Sequence, residues 1–231
     1  MSYTRKEQRR AGAHARHLAR SASHMRLFYL AAAAVGVYLG TRAVSPKPVR
    51  ITDAPLLAAA ALLLLYSLFQ ASKEHAATTK ARVGATNESR VARVLSKMGP
   101  TYLINSAMLG AGGDADHVLI GPCLAVVETK SGHGPLSVRG RSLVVGARPI
   151  PGDPVAQAKR QAAAMSKLAG VYCDAIVCVA DTTTPPQIDR GVTICSLAQL
   201  QGVVSALPTR VSAIEATNLN VKVRTRDLAS R

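Results

Sequence analysis

The sequence predicts an α/β protein: a mixed β-sheet flanked by helices, preceded by two transmembrane helices. Three observations predict it. Hydrophobic periodicity switches between helical and strand-like patterns along 84–207. Two runs, 27–41 and 54–72, contain no charged residue. The rest of the chain is basic, with 29 Lys and Arg against 13 Asp and Glu in 231 residues, a formal net charge of +16. This balance excludes an acidic disordered tail protein. The length and the four cysteines exclude a disulfide-stapled secreted mini-domain.

Residues 1–26 hold seven Lys or Arg and one acid and read as a basic arm. The run 54–72 has AAAALLLL at its centre. At about 1.5 Å per residue it matches a hydrocarbon core of roughly 30 Å. The first run is shorter, but Arg26 and Arg42 can snorkel and Ala43 and Val44 extend it to 27–44. A loop with two prolines, 42–53, joins the runs, so 27–72 reads as a transmembrane hairpin. A cleaved signal peptide fits less well, because the basic region before Leu27 is long for one. The arm carries seven Lys or Arg and the loop three, which places both termini in the cytoplasm of a multi-pass cell-membrane protein. Ala32, Gly36 and Gly40 share one helix face, which predicts close contact with the second helix or with another copy in a homo-oligomer. The cysteines, Cys123, Cys173, Cys178 and Cys195, then lie on the reducing side and read as buried thiols.

Residues 73–83 read as a polar linker. Val91, Val94, Leu95 and Met98 have helical spacing and end at Gly99-Pro100. TYLINSAM (101–108) reads as a strand, LGAGG (109–113) as a glycine turn, and DADHVLIG (114–121) and CLAVVETK (123–130) as two strands about Gly121-Pro122. SVRGRSLVV (137–145) reads as a hairpin. Asp153-Pro154 opens a helix to about Leu168. VYCDAIVCVA (171–180) and VTIC (192–195) are buried-type strands, and Ser196 caps a last helix to about Ala206. The remainder, 208–231, reads as a basic tail or an edge strand, because VKVRTR (221–226) alternates.

The chemistry centres on Asp116 and on Glu128-Thr129-Lys130. If the two strands pair about Pro122, Asp116 lies opposite Glu128, and directly opposed residues share a sheet face. Lys130, two residues on, shares that face. A turn of different length would shift the register and break the arrangement. Two carboxylates this close repel unless a cation sits between them. Hard oxygen donors that leave room for waters suit Mg²⁺ or Mn²⁺, with the Thr129 carbonyl as a further ligand. A nearby lysine can orient or deprotonate the attacking water. An acid opposite an acid-x-lysine also occurs as plain surface charge, so the pattern alone is weak. His117 should face the other side of the sheet, in a structural role. Asp114 is a reserve ligand candidate. Arg139, Arg141, Arg148, Lys159 and Arg160 border the constellation in a C-terminal block of net charge +8, which favours a polyanionic substrate.

These pieces, in this order, resemble the NERD (nuclease-related) domain of the PD-(D/E)xK nuclease superfamily. Gly84 to Glu88 resembles its opening glycine-glutamate element, DADHVLIGP (114–122) its aspartate-histidine strand, VVETKSGHG (126–134) its glutamate-x-lysine strand, and DPVAQAKRQ (153–161) its proline-glutamine helix. Asn87 stands where many relatives have a second glycine, and Ser131 where asparagine is common. The resemblance implies a restriction-endonuclease-like domain over 84–207. In it Asp116 and Glu128 bind metal, Lys130 serves the water, Glu88 projects toward the metal, and Gln157 orients the site or touches the nucleic-acid backbone. The expected protein is a membrane-anchored, Mg²⁺- or Mn²⁺-dependent nuclease acting on cytoplasmic DNA or RNA, with membrane lipid as a further partner. The alternative is a non-catalytic tether that binds nucleic acid with the same fold.

Overall fold

The structure is a computed structural model. It describes residues 54–99 and 101–229, and within 29–41 the positions 29–30, 32–34, 36–37 and 40–41. The chain divides into two compact units, with the boundary between Arg82 and Val83.

The first long element is helix α1, Ala54–Leu95. The expected linker over 73–83 is part of this helix. Its sequence, KEHAATTKARV, holds neither Gly nor Pro and several strong helix formers, so nothing stops propagation. The two transmembrane helices are not supported: among the described residues, no helix is long and apolar enough to cross a membrane. Half of 27–44 lies outside the described residues. The run 54–72 does not form an element of its own; its helix continues through Lys73 and Glu74 into a charged second half. Ala32, Gly36 and Gly40 are described, with Gly36 buried and Ala32 exposed.

In the second unit, strands β1 (Tyr102–Met108), β2 (Asp114–Ile120) and β3 (Leu124–His133) form an antiparallel meander. Two hairpin turns follow, giving β4 (Leu136–Arg139), β5 (Ser142–Val145) and β6 (Arg148–Pro149) in a small separate sheet. Helix α2 (Pro154–Ala169) leads to β7 (Asp174–Asp181), which pairs parallel with β3. Strand β8 (Gln187–Asp189) and strand β9 (Val192–Ser196) close the main sheet, whose order is β1-β2-β3-β7-β9-β8. The α/β expectation therefore holds as a six-stranded mixed sheet flanked by helices.

Both faces of the sheet are covered, which is why its strands read as near-continuous apolar runs. On one face Val118, Ile120, Leu124, Val126, Val177 and Val179 meet Val155, Ala158, Ala162 and Met165 of α2. On the other, Leu119, Ala125, Val127, Ile176, Cys178 and Cys195 meet Val91, Ala92 and Leu95 of α1. Helix α3 runs from Leu200 to Ser205 and buries Leu200 and Val204 on that second face. It begins later than expected: Gln199 holds the N-cap position and its Oε1 accepts the Ser196 N–H at 2.9 Å.

The C-terminal segment is neither tail nor edge strand. Ala213–Ala229 is helix α4, which buries Ala216, Leu219 and Val223 on the α2 face. Those three recur at helical spacing, whereas the alternation in VKVRTR buries only one of its six residues, Val223, in the core. All four cysteines are buried and free of disulfides.

Candidate active site

The expected register is the one observed. His117 pairs with Val127 and Val118 with Val126, so Asp116 stands opposite Glu128 just where the β2–β3 ladder ends. The continuing strand places the Thr129 N–H on Asp116 Oδ2 at 2.7 Å. Pairing of β2 with β1 also passes over Asp116. Asn105 pairs with His117 and Ala107 with Ala115, while the intervening Ser106 has φ +53°. A non-glycine residue in the left-handed region costs about 1–3 kcal/mol and persists only where its surroundings impose it.

Glu128 is 1 % exposed. Lys130 Nζ donates to its Oε1 at 2.6 Å, and Gln161 Nε2 donates to its Oε2 at 3.0 Å. The same Gln161 nitrogen donates to the Asp114 carbonyl at 2.8 Å, so α2 is bonded to β2 and β3 at once. Gln157, one turn earlier, accepts from Lys130 Nζ at 3.5 Å. Helix α2 is started by Asp153, whose Oδ1 accepts the Ala156 N–H at 2.9 Å, with Pro154 at the first helical position. Its approach to the turn before β2 requires glycine there: a Cβ on Gly112 would lie 2.6 Å from the Ala164 Cβ.

Helix α1 reaches the site from the other face. Asn87 is buried; its Nδ2 donates to Ser131 Oγ at 2.8 Å, and its Oδ1 accepts from Arg90 at 3.0 Å. Arg90 in turn bonds Asp181 at 2.6 Å. These contacts fix the helical turn that carries Glu88, which is close enough to act electrostatically on Asp116. Burial, then the charges of Glu128 and Glu88, holds the Asp116 carboxyl well above the usual carboxylate range, against the opposing pull of the Thr129 N–H and Lys130.

The structure therefore brings Glu88, Asp116, Glu128, Thr129, Lys130 and Gln157 to one end of the sheet. Gln161 joins them and was not singled out by the sequence reasoning. Its four-residue spacing from Gln157 was the available signal. His117 lies fully buried with Nδ1 2.6 Å from Asn105 Oδ1, and burial lowers its pKa to about 3, so the ring is neutral.

A divalent cation suits this donor set on one observation: Asp116 is destabilised as an anion by burial and then by the charges of Glu128 and Glu88, and a cation would relieve that repulsion. Among the described residues no group of three or more His, Cys, Asp or Glu side chains is placed to hold a metal. Asp116 and Glu128 are the two carboxylates that would hold such an ion, with waters filling its other positions.

Residues 83–180 match the family described as nuclease-related domain, NERD. The span contains every site residue named above except Asp181; α3 and α4 lie beyond it. No curated protein and no solved structure matched the chain.

Proposed function

We propose that the protein is a metal-dependent nuclease that hydrolyses phosphodiester bonds in cytoplasmic DNA or RNA. The observation that carries the reading is Glu128, a buried carboxylate bonded by Lys130 and Gln161 and set opposite Asp116. Burying a carboxylate in a strand costs several kcal/mol, and a purely structural sheet has an apolar residue there. The match to a nuclease-related domain supports the same reading.

In this mechanism Asp116 and Glu128, with the Thr129 carbonyl, would hold Mg²⁺ or Mn²⁺. The bound ion supplies charge neutralisation and a more acidic water. Lys130 lies between Glu128 Oε1 and Gln157 Oε1, where its ammonium would orient the attacking water, or its neutral amine would take up that water's proton. Gln161 holds the Glu128 carboxylate in place, and Glu88 adds negative charge beside Asp116. Surrounding Lys and Arg side chains bind the polyanion. The alternative is a nucleic-acid-binding tether without cleavage, and one observation favours it: Lys130 already neutralises Glu128 within the chain.

Membrane anchoring and a homo-oligomer through the segments 27–44 and 54–72 belong to the proposal on the strength of the uncharged runs alone. Fractionation of cells expressing the full chain tests the anchoring, which predicts that the protein stays with membranes after a high-salt wash. The activity is tested by incubating the purified full chain with plasmid DNA, single-stranded DNA and RNA in Mg²⁺ and Mn²⁺. Cleavage should appear in wild type and vanish in Asp116→Ala. Binding without cleavage across all substrates and metals would establish the tether instead.

A further inference from the structure

The glycine turn that opens β2 is bordered by two arginines from different helices. One side is α2. Arg160 lies three residues after Gln157 and four before Ala164, so the three share a helix face. Gln157 touches Lys130 in the site, and Ala164 abuts Gly112 of the turn. Arg160 is exposed between them. The other side is α4. Its last turn is pinned to the sheet by the buried Asp227, whose Oδ1 accepts the Met108 N–H at 3.1 Å. That bond sets Arg226 over the turn, with its guanidinium nitrogen 2.7 Å from where a Cβ on Gly110 would be. Arg226 is exposed. The turn between the elements these arginines border is Gly110–Gly112 followed by Gly113, and the chain leaves it directly into β2 with Asp114 and Asp116. A Cβ on Gly113 would meet nothing within 4 Å.

We infer that Arg160 and Arg226 form a phosphate-binding clamp that seats the nucleic-acid backbone across the glycine turn, next to the bond to be cut. The inference rests on the nuclease reading and extends it to α4, outside the family match. Guanidinium groups suit phosphate because their paired N–H donors match its oxygens. A turn made of three glycines and one alanine lets a strand approach closely, and two anchors fix its direction relative to Asp116.

The test measures binding of labelled duplex and single-stranded oligonucleotides by the full chain over a range of salt. It compares wild type, Arg160→Gln, Arg226→Gln, the double variant, and Lys97→Gln as a charge control. Lys97 is exposed and precedes β1, at the end of that strand away from Met108. Each phosphate contact contributes about 0.9 to the salt slope on duplex and about 0.7 on single strand. The double variant should lose about two contacts' worth of slope, and Lys97→Gln none. Thermal melting of every variant, measured alongside, separates lost contact from lost fold. Equal slopes in wild type and double variant would overturn the clamp while leaving the nuclease reading intact. An equal loss from Lys97→Gln would reduce it to general charge attraction and overturn it. A wild type that binds no nucleic acid, or arginine variants that change only adsorption to anionic lipid vesicles, would overturn it as well. In the former case the nuclease reading fails with it, which the cleavage assay shows independently.

Discussion

Replacing Lys130 with Met keeps most of the side-chain volume and removes the charge. In the structure the ammonium sits 2.6 Å from Glu128 Oε1, and Glu128 is 1 % exposed while the lysine side chain is 25 % exposed. Breaking a buried ion pair and leaving its partner behind costs about 3–5 kcal/mol. The partial exposure of Lys130 lets solvent screen some of that, so the lower end, about 3 kcal/mol, is expected. For a unit of this size each kcal/mol lowers Tm by roughly 2–4 °C, which gives a fall of roughly 6–12 °C. A divalent cation should recover part of the loss, because it takes over neutralisation of Glu128. It should not recover the chemistry: cleavage should stay down by about 10²–10⁴-fold, the range for a positioned acid–base group. Melting curves with and without Mg²⁺ or Mn²⁺, and cleavage on the same samples, separate the two effects. A Lys130→Met variant that melts and cleaves like wild type would refute the site.

Gln161→Leu removes both of that amide's hydrogen bonds and leaves Glu128 Oε2 and the Asp114 carbonyl short of a donor. It should cost about 1–3 kcal/mol in urea unfolding and lower cleavage; Gln157→Ala, which loses one 3.5 Å contact, should leave the urea midpoint unchanged. Asp116→Asn should melt above wild type in metal-free buffer, by a margin that grows as pH rises from 3.8, because the wild-type carboxyl ionises less readily folded than unfolded. Added Mg²⁺ should close that gap, and a pH-independent margin would contradict the electrostatic account. The buried His117 takes up its proton near 3 when folded and near 6.5 when unfolded, so its contribution is full above 6.5 and is lost as pH falls toward 3. The slope inside that window should approach about 1.4 kcal/mol per pH unit, and His117→Gln should flatten it in denaturant midpoints measured against pH.

The strands that carry Asp116 and Glu128 were legible because their pattern and their turn agree. Covered sheet faces leave continuous apolar runs, and the Gly121-Pro122 turn fixes the register that opposes Asp116 to Glu128. Gln161 was less legible, since a second glutamine on a helix reads as ordinary surface until the sheet beneath it is known. The alternation in VKVRTR pointed to a strand because a six-residue window is too short to show the wider spacing of Ala216, Leu219 and Val223. An uncharged run reports composition alone, which is why 54–72 gave no hint that its helix continues to Leu95. Nothing in the sequence marks Ser106, a residue with no special preference for the left-handed region, as the break in β1.

That break has a consequence for how the sheet breathes. Asp116 is passed over by the ladder on both sides, by β1 at Ser106 and by β3 beyond Val127. Fewer cross-strand bonds hold this corner than hold Val118 to Ile120, which are partnered on both edges. Amide hydrogens at the start of β2 should therefore exchange through local openings, while those of Val118 to Ile120 should exchange only with global unfolding. The corner that carries Asp116 can then open at a lower free-energy cost than the rest of the sheet.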